Sequence, residues 1–377
     1  MNPPPVKLAL HRIEIPFRVT FRHASATRAG TMAILVTAHD TEGNQGFGEG
    51  CPREYVTGES LDSAEAFFHL YRDVWCRGLP NVAALRDWTT AHREIIDRNP
   101  AAWCAVELAL LDLYARRAGQ SVEMLLGLAP LSEPFRYTAV IGDSGPEQTQ
   151  AWFSRYWEMG FRDYKLKLSG DIARDREKLA VFRVENAHPL RLRADANNLW
   201  RDSHTAIAAL QSLDYPFFAI EEPLARGDFD GMRAIADALG TRIILDESVT
   251  RRDDLAWISA GDERFIVNLR VSKMGGVLRS LELIGVARQK NIPLIIGAQV
   301  GETSLLTRAA LGVAHAARDC LTAQEGAFGT LLLEHDLFVP TLMFGASGVL
   351  EPELFGLRNA IGWGLERVSP NTASAPE

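Results

Sequence analysis

Three acidic residues stand at near-equal intervals in the second half of the chain: Asp195, Glu221 and Asp246, 26 and 25 residues apart. Each closes a short apolar run, in Arg193-Ala194-Asp195, Ala219-Ile220-Glu221 and Ile244-Leu245-Asp246. If those runs are neighbouring strands, the three carboxylates meet at one rim and repel one another unless a cation sits among them. Oxygen-only ligands with room left for water and substrate favour a hard divalent ion such as Mg²⁺, whereas zinc would want histidine or cysteine. Taken singly, each acid reads as a helix N-cap or a first-turn charge. Three in series point to a site. One strand earlier, Lys165 and Lys167 lie two residues apart and so project to one face. Mutual repulsion, partial burial and a nearby metal each lower a lysine pKa toward the range where a neutral amine can take a proton. Such a group suits proton abstraction next to a carboxylate, because a metal holding both carboxylate oxygens stabilises the enediolate that results.

The elements that position these residues can be read along the chain. At 377 residues it exceeds one ordinary domain. Three β-like runs open it, Leu8–Ile15, Thr31–His39 and Gln45–Glu49, and from Leu61 to about Arg117 the apolar period lengthens to that of helices. After a Pro/Gly-rich linker at Gly127 to Pro134, eight apolar runs alternate with helical stretches: Tyr137–Ile141, Asp163–Leu168, Leu190–Ala194, Phe217–Ile220, Arg242–Leu245, Phe265–Leu269, Pro293–Ile296 and, least clearly, Cys320–Ala323. That alternation predicts an α/β fold with a (β/α)8-type barrel behind an N-terminal α+β domain. An open doubly wound sheet would show a Gly-rich phosphate loop after its first strand, and Ile141-Gly142-Asp143-Ser144-Gly145-Pro146 is not one. The expected domains are a meander with helices over 1–130, a barrel over 131–325, and a segment 326–377 returning to the first.

Composition excludes several function classes. Forty basic residues against 48 acidic give a net charge of −8, with no basic run longer than a dipeptide, which argues against a nucleic-acid partner. No 18-residue apolar stretch predicts a membrane span, and Met1–Phe17 lacks the apolar core of a secretory signal. Cys51, Cys76, Cys104 and Cys320 are far apart, without CxxC spacing, and read as reduced thiols in a cytoplasmic protein.

In order, Lys165-x-Lys167, Asp195-Ala-Asn-x-x-Trp200, Glu221-Glu-Pro223, Asp246-Glu-Ser248 and Lys273-x-Gly-Gly276 resemble the enolase superfamily, in its muconate-cycloisomerase (mandelate racemase/muconate lactonizing enzyme) branch. The resemblance covers nearly the whole chain, and it implies that the first domain is an α+β capping domain whose lid loops, near 18–30 and 50–60, close over the barrel mouth. It implies that Asp195, Glu221 and Asp246 hold Mg²⁺, that Lys167 is the base and that Lys165 helps to set its pKa, with Asn197 a polar neighbour of the metal-bound oxygens. Glu222 and Glu247, one residue beyond each ligand, are expected to point away. Where the branch usually carries a second lysine after the sixth strand, this chain has Arg270, which stays protonated and cannot exchange a proton as lysine does. Lys273 is the other candidate for that amine. The seventh strand ends in Gly297-Ala298-Gln299, without the histidine of the mandelate-racemase type.

A one-sided reaction needs only Lys167, so the first expectation is a muconate-type cycloisomerase on a small-molecule carboxylate. Alternatives are an acid dehydratase or o-succinylbenzoate-synthase-like syn elimination, an amino-acid or dipeptide racemase or epimerase, and, in another class, a non-catalytic metal-binding barrel subunit. Substrate contacts are expected from His23, Arg53 and Tyr55 in the lid loops, and from Gln299, Glu302 and Glu325 near the last strand ends. Apolar cap helices suggest a homo-oligomer.

Overall fold

The computed structural model describes residues 4–23, 26–183 and 190–368, without the side chains of 19–23 and 26–28. The side chain of His23, two residues of the first lid loop and the tail from 369 therefore lie outside the described residues.

The first three strands, β1 (Lys7–His23), β2 (Ala26–His39) and β3 (Gln45–Gly50), form the antiparallel meander that the alternating runs predict. Three helices follow: α1 (Leu61–Gly78), α2 (Val82–Ala91) and α3 (Pro100–Arg117). Local chemistry sets where they start. Ser60 and Ser63 cap α1 reciprocally, Asn81 accepts from Ala84 N–H at the head of α2, and Pro100 occupies the first turn of α3. Helix α3 is buried over nearly its whole length because β3 lies directly on it. Gly46, Gly48 and Gly50 present one face of the strand to Ala109, Ala105 and Ala101, and a Cβ at any of the three would strike the helix backbone.

Eight parallel strands make the second sheet in sequential order: β4 (Ala139–Ile141), β5 (Asp163–Lys167), β6 (Arg191–Asp195), β7 (Ala219–Glu221), β8 (Arg242–Leu245), β9 (Phe265–Arg270), β10 (Leu294–Gly297) and β11 (Leu321–Gln324). Each lies within a residue or two of its predicted run, as expected for strands buried on both faces. Helices α4 (Pro146–Glu158), α5 (Ile172–Ala180), α6 (Ser203–Leu213), α7 (Phe229–Leu239), α8 (Val277–Lys290) and α9 (Ser304–Ala316) cover it. The sheet curls into a barrel without a full ladder between its ends: among the described residues, Thr138 N–H donates to Gln324 O at 2.8 Å across the gap. The eighth unit, weak in the sequence, has no helix. After β11 the chain runs through short 3-10 turns and touches the first sheet, where Phe17 bridges to Leu333 and Arg18 N–H donates to Leu332 O. Among the described residues, no helix is long and apolar enough to cross a membrane.

Buried carboxylates join the two halves. Glu49 of β3 accepts from Thr303 N, Thr303 Oγ1 and Leu306 N at the head of α9, and Glu107 of α3 accepts from Leu278 N at the head of α8. Glu123 forms a fork-to-fork pair with Arg308 of α9. Glu49 and Glu107 sit on helix N-termini, where the unpaired N–H groups favour an acceptor.

Candidate active site

A cavity of about 700 Å³ opens at the carboxyl ends of the barrel strands. Its floor is built by strand alternation. Lys165 and Lys167 both point inward from β5, Arg193 and Asp195 from β6, and Glu221 from the end of β7. Lys165 Nζ lies 2.7 Å from Glu221 Oε2, 3.1 Å from Glu325 Oε2 and 3.3 Å from Asp195 Oδ2. Lys167 Nζ donates to Asp195 Oδ2 at 2.8 Å and to Asn197 Oδ1 at 2.7 Å. Arg270, four strands on from β5, donates to Gln299 Oε1 at 3.0 Å, pairs with Asp246 and comes within 3.9 Å of Glu221 Oε1.

One ammonium thus bridges Asp195 and Glu221, and one guanidinium spans Glu221 and Asp246, so the three acids of the sequence series do converge. As the side chains stand, however, no three acidic, histidine or cysteine groups among the described residues are arranged around one point. The cationic arms lie between them. The donor set still fits a hard divalent ion: it is all oxygen, and Glu221 Oε2 and Asp246 Oδ2 are buried without a well-directed hydrogen bond although a cation faces each.

Charge and burial compete at each group. Burial alone would raise Asp195, but Lys167 and Lys165 hold its carboxyl well below the usual range. Glu221 is pushed up by burial, which the attraction of Lys165 does not offset. Glu325 is held down, against burial, by Lys165 and Arg193. For Lys165 the expected lowering is reversed: burial pulls its pKa down, but Glu221, Glu325 and Asp195 outweigh it and keep the ammonium protonated well above its ordinary value. Repulsion between the two lysines is a small effect beside three carboxylates in contact.

Several expected residues fall where predicted and others do not. Tyr55, Asn197, Gln299, Glu302 and Glu325 all line the cavity. Glu302 accepts from Gln299 N–H at 2.7 Å, and burial raises its pKa to about 8. Arg53 does not line the cavity: it is buried, its guanidinium donating to the carbonyls of Met32, Pro52 and Val300, which ties the second lid loop to β2 and to the loop after β10. Lys273 does not line the cavity either. Its Nζ donates to Asp246 O, Asp246 Oδ1 and Asn268 O, and burial, then Arg270, lower its pKa to about 7. Its hydrogen bonds fix Asp246 rather than reach a ligand.

Glu222 turns away from the cavity as expected. It leaves β7 at φ 41°, in the left-handed region, and accepts from Asp246 N, Ser248 N and Ser248 Oγ. Glu247, expected to do the same, lines the cavity with Oε2 unpartnered, and burial beside Glu222, Asp195 and Glu221 raises its pKa to about 8. The ladder of β8 ends at Leu245, so alternation no longer governs Asp246 and Glu247. Arg193 was missed, although it stands two residues before Asp195 on one strand. It is fully buried and donates to Glu325 Oε1 at 2.9 Å and to Thr138 Oγ1. Asn268, whose Nδ2 donates to Glu221 Oε1 at 3.2 Å, was read only as part of a pattern.

Comparison with known proteins follows from this geometry. Residues 148–366 match the family model described as Enolase C-terminal domain-like. The L-Ala-D/L-Glu epimerase of Bacillus subtilis (strain 168) is 26% identical over 93% of this chain and 95% of its own length. The L-Lys-D/L-Arg epimerase of Methylococcus capsulatus is 31% identical over 81% of this chain and 83% of its own. In three dimensions the dipeptide epimerase from Enterococcus faecalis V583, complexed with Mg and the dipeptide L-Leu-L-Tyr, superposes with a TM-score of 0.85 at 25% identity, covering 96% of this chain and 100% of that one. These relatives carry names of epimerases. The muconate-type cycloisomerisation expected first draws no support from them, nor does a lyase reaction, whereas the epimerase alternative does.

Proposed function

The chain belongs to the enolase C-terminal domain-like family, and from that premise we propose that it is a Mg²⁺-dependent isomerase of the epimerase and racemase kind. Its substrate is an amino-acid-derived carboxylate, an N-acyl amino acid or a dipeptide, and the reaction moves the proton on the carbon next to the carboxylate. The observation that carries this reading is Lys167, an amine facing the cavity from a strand end and hydrogen-bonded to Asp195 and Asn197.

Asp195, Glu221 and Asp246 would hold the ion. When bound, it supplies positive charge that offsets the negative charge developing on the substrate carboxylate. Lys167 takes the proton, with its nitrogen aimed by Asp195 and Asn197. Lys165 remains an ammonium under its three carboxylates and keeps the floor from accumulating negative charge. Arg270, held by Gln299, presents a fixed cation from the opposite side.

Arg270 also favours a second reading. With no amine on its side, a reaction completed on the face of Lys167, such as a syn elimination or cycloisomerisation, needs nothing more from the site. Incubation of N-acyl amino acids, dipeptides and hydroxy-acids with the Mg²⁺-loaded enzyme in D2O separates the two. Deuterium at the α-carbon together with the inverted stereoisomer supports the epimerase. Deuterium with retained configuration, or loss of water, supports the one-face reaction. No exchange with any of these carboxylates would overturn both.

A further inference from the structure

Beyond the lysine and carboxylate floor, part of the cavity lining is aromatic. On α4, Gln148, Trp152 and Tyr156 follow at intervals of four and so share one helix face, and all three line the cavity. Beside them, the turn after the neighbouring strand β11 contributes Phe328, Leu331 and Leu332. Trp152 stacks on Tyr156 at 5.6 Å between ring centroids, Tyr156 meets Phe161 at 5.2 Å, Phe161 meets Phe344 at 5.2 Å, and Phe344 meets Phe328 at 5.5 Å. A continuous run of rings therefore links one wall to the other, so the walls are held in place before a ligand arrives. The charged groups here already satisfy one another: Asp143 is paired with Arg174 at 3.0 Å and with Lys178 at 3.3 Å. What remains on offer is half-buried apolar surface, which gains most from covering apolar area.

We propose that this arm is a binding compartment for a large apolar, ring-sized group of the ligand, remote from the carboxylate that sits over Lys167, with Trp152 and Phe328 as its selectivity-determining residues. The inference rests on the reading above for the seat of the carboxylate and deepens it by naming the substrate class: a carboxylate whose far end is aromatic or bulky aliphatic, with a small polar far end disfavoured.

N-benzoyl- and N-acetyl-α-aminoisobutyrate test this without any chemistry, since neither has an α-hydrogen. Calorimetric titration of the Mg²⁺-saturated protein should show the benzoyl compound binding about tenfold or more tightly than the acetyl one, the gain expected from burying a ring. Trp152→Ala, and separately Phe328→Ala, should each cut that ratio to about threefold or less while leaving the acetyl compound's affinity unchanged; Trp152→Phe, which keeps a ring, should retain most of it. Melting curves verify that each variant is folded, and two independent walls guard against loss of either one. Equal affinities in the wild type, an unchanged ratio in both alanine variants, or no binding of either compound would overturn the proposal. Because binding is read directly, a preference for benzoyl stands even if no α-hydrogen exchange is found. Conversely, exchange of small substrates without the preference removes this compartment and leaves the function.

Discussion

Two sets of buried carboxylates in this molecule are kept in opposite ways. On the side of the first domain, Glu49, Glu59 and Glu107 meet backbone N–H groups at helix heads: Glu49 at α9 and Glu107 at α8, across the seam with the barrel, and Glu59 within the first domain at α3, where it accepts from Ala101 N and Ala102 N. Burial raises their pKa values to about 7, about 8 and about 7 respectively. At the barrel mouth, Asp195, Glu221, Asp246 and Glu325 are matched by Lys165, Lys167, Arg193, Arg270 and Lys273. There Asp195 and Glu325 are pushed down rather than up. Dipoles of helix ends suffice where an acid only has to dock two layers. Full cations are needed where acids crowd together.

That contrast is tested hardest at the mouth. Lys167→Ala should lower α-hydrogen exchange about a thousandfold, as loss of a general base does, and should also cost some stability, because buried Asp195 loses one of its two cations and keeps Lys165. Exchange followed by NMR in D2O, alongside a thermal melt that verifies the variant is folded, checks both; exchange that persists in the folded variant would remove Lys167 as the base. Removing Mg²⁺ with a chelator should abolish exchange in the wild type and restore it on readdition, while leaving the seam untouched. Arg270→Lys sharpens the comparison differently. It supplies a titratable amine opposite Lys167 and should raise the proportion of inverted product, read by chiral chromatography; an unchanged proportion would show that proton return does not pass through this position.

Smaller effects belong to the seam. A carboxyl whose folded pKa lies above its unfolded value of 4.5 binds more protons in the native state, so stability is highest below that value and falls as the pH rises through the folded pKa. Between about pH 4.5 and about pH 8 the melting temperature should therefore decline. Glu107→Gln, which keeps the acceptor oxygen without the titration, should flatten that decline and cost about 1 to 3 kcal/mol at most at low pH. Denaturant unfolding at several pH values measures it; a slope unaltered by the substitution would remove Glu107 as a source.

Much of this was legible in the sequence, for physical reasons. Parallel strands buried on both faces are short, largely apolar runs, broken by charge chiefly where they feed the site, as in Asp163–Lys167 and Arg191–Asp195, and the helical stretches between them are why all eight could be located. The acids stood out because a repeated βα unit places strand ends at near-constant spacing. What stayed hidden depends on where a strand stops and on what lies near in space. Glu247 faces the cavity because β8 ends two residues before it. Arg53 sits in a loop of exposed-type residues, yet backbone carbonyls distant in sequence consume its donors. The glycines of Gln45-Gly46-Phe47-Gly48-Glu49-Gly50, spaced by two, and the alanines 101, 105 and 109, spaced by four, each carried a signal. Only their meeting gives it meaning. Trp152 and Tyr156 were not singled out, because their spacing of four is that of the core side of any amphipathic helix and apolar surface lining a cavity has the same pattern.

The account turns on which carboxylates take the ion. Calorimetric titration of Mg²⁺ into the wild type and into Glu221→Gln and Glu247→Gln measures that directly. One ion per chain, lost in Glu221→Gln and retained in Glu247→Gln, is the predicted result. Mg²⁺ binding that survives Glu221→Gln unchanged would contradict it.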